Sequence, residues 1–181
     1  MSEQDDSGSD RKWMLLLDSD WSPPTETDDQ SRAVPPVESI VGGWLVNDDG
    51  TVGPFEPNPL YLPSGPDAPT GPVDAAAKLV VAGRAEPNLV LLAMRDSLTE
   101  VAVDDEDDVI VAPAPDGAPC VLVATGTADR LRVEAAGWRQ VSSAELVELL
   151  PDGVDVLLNP GGPASMRLFA GALREAVTGT D

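Results

Sequence analysis

The stretch Val154–Leu173, VDVLLNPGGPASMRLFAGAL, sets a short apolar run against a Pro/Gly elbow and then a segment of helical periodicity. Strand, elbow and helix in that order point to a fold that mixes both element types. The elbow residues Asn159, Pro160, Gly161, Gly162 and Pro163 admit two readings. Glycines between a strand and a helix can cradle a phosphate with their amides. They can also turn a corner. Here there is no GxGxxG and no G-K-[ST]. Pro160 and Pro163 each remove an N–H donor that a cradle would use. The turn reading is favoured: Asn159 ends the strand and Pro160-Gly161 suits a type II turn. A terminal helix is expected over Ser165–Val177, with Met166, Phe169 and Leu173 on one stripe.

Upstream, SSAELVELLPDG (Ser142–Gly153) carries the S-x-x-E capping box and a Pro-Asp-Gly stop, so it predicts a helix with Leu146 and Leu149 or Leu150 inward. TADRLRVEAAG (Thr127–Gly137) predicts a short helix and WRQV a brief strand. TEVAV, VIVAPA and PCVLVAT read as a three-strand meander, turned at DDEDD (Asp104–Asp108) and at Pro115-Asp116-Gly117. The triplets Val109–Val111 and Val121–Val123 are unbroken apolar runs, the pattern of central strands covered on both faces. Thr70–Gly83 and Glu86–Leu98 predict two successive helices. The second has a ragged apolar face of Leu89, Leu92, Met94 and Leu98.

KWMLLLD (Lys12–Asp18) predicts a strand, and IVGGWLV with the Asp49-Gly50 turn predicts a hairpin. Residues 1–11 are polar and charged and are expected to be disordered. Ser22–Pro36 holds four prolines and reads as a linker. Pro54–Pro72 holds seven prolines in 19 residues, which excludes helix and central strand. Phe55, Leu60, Tyr61 and Leu62 punctuate it, favouring an ordered strap over a mobile loop. The expectation is a mixed α+β fold: a mostly antiparallel central sheet, flanking helices and a proline-rich extended strap. Residues 12–72 form an N-terminal extension and 73–181 an α/β domain, with 12–178 as one globular unit.

The 181 residues carry 11 basic and 32 acidic side chains, a net charge of −21. That leaves no basic surface for nucleic acid or for anionic membranes. Acid is concentrated in residues 1–128, with 24 acidic against 6 basic side chains, while 129–181 holds 8 against 5. The absence of histidine excludes Ser-His-Asp and Cys-His catalysis. With a single cysteine, Cys120, neither an intramolecular disulfide nor a structural zinc site is plausible, and CVLVAT reads as a strand burying an inert thiol. DDEDD lacks calcium-loop spacing and reads as a solvated hairpin tip. Arg130, Arg132 and Arg139 are expected to neutralise nearby acids. No apolar run reaches the about 20 residues of a membrane span. The N-terminus is unlike a signal peptide, so a cytoplasmic protein without membrane insertion is expected. No catalytic residue, cofactor site or metal-ligand set is assigned. Trp13, Trp21 and Trp44, with Tyr61, are the candidate interaction residues, expected to pin the extension to the body or to anchor a partner.

The order of motifs from Val109 to Leu173 resembles the SseB N-terminal-type domain. The carriers are a strand with P-x-DG-x-P, a helix, V…ELL, and a strand closing on the Asn159-Pro160 turn. Over its whole length the chain also resembles actinobacterial type VII secretion system-associated proteins, through WMLLLD, VGGW, the segment around PNPLYLPSGPDAPTGP, and LPDGVDVLLNPGGPASMRL. This resemblance implies a cytoplasmic accessory protein that partners a type VII secretion component or substrate and has no known catalysis. The chain departs from secreted substrates of such systems. Trp138 is followed by Arg139 and Gln140, not by x-Gly, and Tyr61 is followed by Leu-Pro-Ser-Gly, not by an x-x-x-acid signal. Two other readings stand beside it. One is a small-ligand binder or enzyme using the crevice near Asn159, with Ser165 and Asp155. The other is an immunity-like partner of a basic effector.

Overall fold

The computed structural model describes residues 12–23, 34–65 and 67–179. The expected disordered tail 1–11 and the stretch 24–33 of the expected linker lie outside them. The described residues build two sheets. The smaller has strands β1 (Lys12–Leu17), β2 (Ile40–Val46) and β3 (Val52–Pro57), antiparallel in sequence order. Helices α1 (Pro72–Val81) and α2 (Asn88–Arg95) follow. The larger sheet comprises β4 (Thr99–Val103), β5 (Val111–Pro113), β6 (Pro119–Ala124), β7 (Gly137–Val141), β8 (Asp155–Leu158) and β9 (Met166–Leu168). Its order is β7-β4-β6-β8-β9, with β5 also pairing β6. Only β6 and β8 run parallel. The remaining helices are α3 (Thr127–Arg130), α4 (Ser143–Leu149) and α5 (Ala170–Thr178). This is the expected α+β class, with mostly antiparallel sheets.

Strand alternation decides which side chains enter the core. Leu16 and Trp44 of the small sheet are fully buried with Val73, Ala76 and Leu79 of α1 and Val90 and Met94 of α2. The same cluster takes in Val101, Val121, Val123, Val156 and Leu158 from one face of the large sheet. The opposite face holds Ala102, Cys120, Leu122 and Leu157 in a smaller cluster backed by Val133 and Trp138. Cys120 is fully buried, and that burial raises its thiol pKa above the ordinary value. Trp44 stacks edge-on against Phe55 with ring centroids 4.9 Å apart, and its indole N–H donates to Asp96.

Local punctuation follows the sequence closely. Gly71 caps α1 with Pro72 in the first turn, and Gly83 lies beyond its end at φ +68°. Ser142 and Glu145 close a reciprocal capping box on α4, and Leu146 is fully buried. The proline-rich segment is an ordered strap across the described residues. Phe55 and Tyr61 pack against the core, while Leu60 and Leu62 stay exposed.

Four expectations need correction. The helix expected from Ser165 begins at Ala170, because Met166–Leu168 pair as β9 with β8 and the ladder outweighs their helical spacing. The helix expected over Thr127–Gly137 stops at Arg130, and Gly137 already belongs to β7. The three-strand meander does not form: β4 and β5 lie along the same edge of β6, so Val111 is exposed, not central. Finally, α2 buries Val90, Ala93 and Met94, while Leu98 lies past its end and is exposed.

Trp44→Ala removes the largest fully buried side chain. It is expected to destabilise the protein by about 3–5 kcal/mol, read as a lower urea midpoint at unchanged m-value.

Candidate functional site

Two places were open as sites: the elbow at Asn159 and the surface bearing the N-terminal aromatics. Because β6 and β8 are parallel, their carboxyl ends reach the same side of the sheet. Asn159 ends β8 there and sits at φ +48°, a left-handed conformation that asparagine tolerates better than most residues. Its amide donates to the Val123 carbonyl at 2.7 Å. Its side-chain oxygen accepts from the Thr125 amide at 2.9 Å, and its Nδ2 donates to Thr125 Oγ1 at 2.9 Å. Asn159 thus bridges the ends of both strands. Gly161 lies at φ +70°, and the Gly162 amide donates to the Asn159 carbonyl at 3.0 Å, closing the Pro160–Gly161 turn. The Ser165 amide goes to the Gly162 carbonyl. Those amides are spent within the loop. The turn leads into a strand instead of the expected helix.

The crevice beside the elbow is lined by charge. Asp129 pairs with Arg132 at 2.9 Å, and Asp74 with Lys78 at 2.9 Å. Lys78 also donates to the Asp67 carbonyl, and the Thr70 amide donates to Asp74, so the strap is tied down here. The remaining cavity is about 70 Å³. Burial, followed by the nearby Asp74 carboxylate, raises the Asp129 carboxyl above its ordinary range, against the pull of Arg132. A Cβ on Gly162 would lie 3.1 Å from Asp129 Oδ1, which is why the turn passes so close to this pair. Two buried carboxylates oppose an anion, so the arrangement does not suit phosphate. Asp155 stands at the other end of β8, where its Oδ1 accepts from the Ala170 amide at 2.8 Å. The structure does not bring it together with Asn159.

The small sheet offers a different surface. Trp13 lies opposite Leu45, Leu15 opposite Gly43, and Leu17 opposite Ile40. Met14, Leu16 and Trp44 on the other face enter the core, but none of these five apolar side chains does. Trp13 is 42% exposed and Leu15 45%. A Cβ on Gly43 would meet the Met14 carbonyl at 2.8 Å and Leu15 Cδ2 at 3.4 Å, so the bare glycine gives Leu15 its place on the face.

The four candidate interaction residues therefore separate. Trp13 is on the outer face; Trp44 is in the core. Tyr61 is half-buried and donates to Asp18 at 2.9 Å, beside Ser64 Oγ at 2.9 Å from the same carboxylate oxygen. Trp21 is half-buried, and its carbonyl accepts from Arg84. Leu15, Leu17 and Leu45 were not singled out from sequence. The available signal was that KWMLLLD is apolar at every position between its charges, so both faces of that strand are apolar.

Asn159→Ala is expected to cost about 1–3 kcal/mol in denaturant unfolding, since Thr125 loses its partner and the left-handed backbone is strained. For Asp129, the raised native value means the folded chain takes up a proton before the unfolded chain does. Its contribution to stability therefore rises as pH falls from 7 towards its ordinary value of 3.8. The stability difference between wild type and Asp129→Asn, followed by urea unfolding across that range, is expected to shift in favour of wild type as pH falls. Comparison of the chain with protein-family models, curated proteins and solved structures finds no match.

Proposed function

We propose that this protein is a non-enzymatic accessory factor of type VII secretion, an adaptor, chaperone or regulator that binds a protein partner in the cytoplasm. The observation that carries this reading is the outer face of the small sheet, where Trp13, Leu15, Leu17, Ile40 and Leu45 form an apolar surface outside both core clusters. An aromatic anchor among aliphatic neighbours is the composition of an interaction patch. The secretion system itself comes from the resemblance of the strap and of LPDGVDVLLNPGGPASMRL to proteins associated with that machinery. No helix among the described residues is long and apolar enough to cross a membrane, which agrees with a partner-binding role away from the bilayer interior. The net charge of −21 favours a partner or substrate with basic surface, drawn in by long-range attraction. The same charge supports the second reading, an immunity-like partner of a basic effector.

Affinity capture from the native cell with the full chain is expected to recover a secretion component or substrate. Trp13→Ala is expected to weaken that capture by about 10-fold or more while leaving the unfolding midpoint nearly unchanged. Recovery of no secretion component or substrate overturns the assignment. Full retention by Trp13→Ala removes the outer face from it. Neutralisation of a neighbouring basic toxin on co-expression would favour the second reading.

A further inference from the structure

Three aspartates are followed directly by glycine: Asp49, Asp116 and Asp152. An Asp-Gly bond can rearrange without an enzyme. The glycine amide nitrogen attacks the carboxyl carbon of the aspartate side chain, and glycine, lacking a side chain, leaves that approach open. The three pairs share this local chemistry, but the fold treats them differently. At Asp49 both reacting groups are engaged. The Gly50 amide donates to the Asn47 carbonyl at 2.9 Å. Asp49 Oδ1 accepts from Thr51 Oγ1 at 2.6 Å and from the Thr51 amide at 2.9 Å. Those bonds, the hydroxyl first, hold the Asp49 carboxyl below its ordinary range, in the charged form that resists a nucleophile. Asp116 repeats the pattern. The Gly117 amide donates to the Ala114 carbonyl at 2.8 Å. The Asp116 carboxylate accepts from the Ala118 amide on one oxygen and pairs with Arg167 at 3.1 Å on the other. Asp152 and Gly153 differ from both. They are exposed, and among the described residues neither the Asp152 carboxylate nor the Gly153 amide has a hydrogen-bond partner. Their turn is closed around them instead, by the Val154 amide donating to the Pro151 carbonyl at 3.2 Å. Gly153 lies at φ +74° in open space, with nothing within 4 Å of where a Cβ would stand. The attacking nitrogen and the attacked carboxyl are both untied only here.

We infer that Asp152 is a site of spontaneous covalent modification, isomerising through a cyclic imide with Gly153 to an isoaspartyl linkage. The steps balance with water alone. The Gly153 nitrogen bonds to Asp152 Cγ, and its proton leaves with one carboxyl oxygen as a water molecule. A water molecule then adds to one carbonyl of the imide and breaks that carbonyl's bond to the nitrogen. Opening at Cγ returns aspartate. Opening at the original main-chain carbonyl leaves the chain running through the side chain, so the main chain becomes one methylene longer. The added length falls between Leu150 and Val154, which are both buried, in the short link from α4 to β8. Asp155 pairs with Cys120 immediately beyond it, so the modification sits where main-chain length governs how β8 enters its ladder with β6.

Prolonged incubation of the full chain at neutral pH, folded and in parallel unfolded in guanidinium, tests this. Peptides are mapped by mass spectrometry, with electron-transfer fragmentation to tell isoaspartate from aspartate. In the folded chain isoaspartate is expected at Asp152 about 10-fold or more faster than at Asp49 and Asp116, the ratio that one or two further hydrogen bonds at those pairs correspond to. In guanidinium the three rates are expected to converge, since the protecting bonds are gone. Asp152→Glu, which would have to close a larger ring, is expected to remove the signal from its peptide while the unfolding midpoint stays nearly unchanged, as befits an exposed side chain. A folded chain in which Asp49 or Asp116 isomerises as fast as Asp152 overturns the inference, and so does a folded chain without isoaspartate at Asp152. A signal that survives Asp152→Glu belongs to Asp155 and overturns it too. An excess at Asp152 that persists undiminished in guanidinium assigns the preference to flanking sequence and overturns the structural argument.

Discussion

One carboxylate at the end of α2 holds the two halves of the protein in register. Asp96 Oδ2 accepts from the Trp44 indole N–H at 3.3 Å, from the Phe55 amide at 3.1 Å and from Arg95 at 2.9 Å. A buried indole brings a large apolar surface but also an N–H that must find a partner. Asp96 meets that need and at the same time closes the outer edge of β3. The small sheet is therefore fixed by its inner face and by one of its edges. Among the described residues, the outer face of the small sheet lies outside both core clusters and β1 pairs on one side, with β2.

Electrostatics within the fold are more balanced than the total charge implies. Arg130 pairs with Glu100, Arg132 with Asp129, Arg139 with Asp107, and Arg167 with Asp116 and Asp155. Most of these pairs are partly exposed and contribute little each. Two carboxylates are more revealing. At Asp18, burial pushes the pKa up, but hydrogen bonds from the Asp20 amide, Ser64 and Tyr61 outweigh it and hold the group below its ordinary range. At Asp129 burial and Asp74 prevail. Asp18 therefore supports the fold above its ordinary range and loses that support on acidification, opposite in sign to Asp129. The strap is fastened by the first of these groups near β1 and lies against the second near the elbow.

Much of the fold was legible where a residue's local chemistry also served the tertiary structure. The Ser142–Glu145 box, the Asp49-Gly50 turn and the Pro160–Gly161 turn all depend on contacts within a few residues. The unbroken apolar run Val121–Val123 was legible because that strand lies at the centre of its sheet and is covered on both faces. Met166–Leu168 were not, since helical spacing and a three-residue strand compete there and only the β8 ladder settles the outcome. Val109–Val111 failed for the same reason: which edge of β6 the segment joins is a non-local fact. At the candidate site, Trp13 was legible as one of the aromatics gathered in the N-terminal extension. Separating it from Trp44 required knowing that the two face opposite sides of adjacent strands.

The parallel pairing of β6 and β8 has a consequence for how the chain emerges during synthesis. β6 is complete at Ala124, but its partner on one side starts only at Asp155. Between them the chain travels out to β7, at the far side of β4, and returns through α4. A nascent chain that has reached Pro151 thus presents a fully apolar strand, Val121–Ala124, with one side unpaired, until β8 has been made through Leu158. The acidic residues that dominate the first two-thirds of the sequence are by then already made. Like charge of this kind opposes association between neighbouring chains.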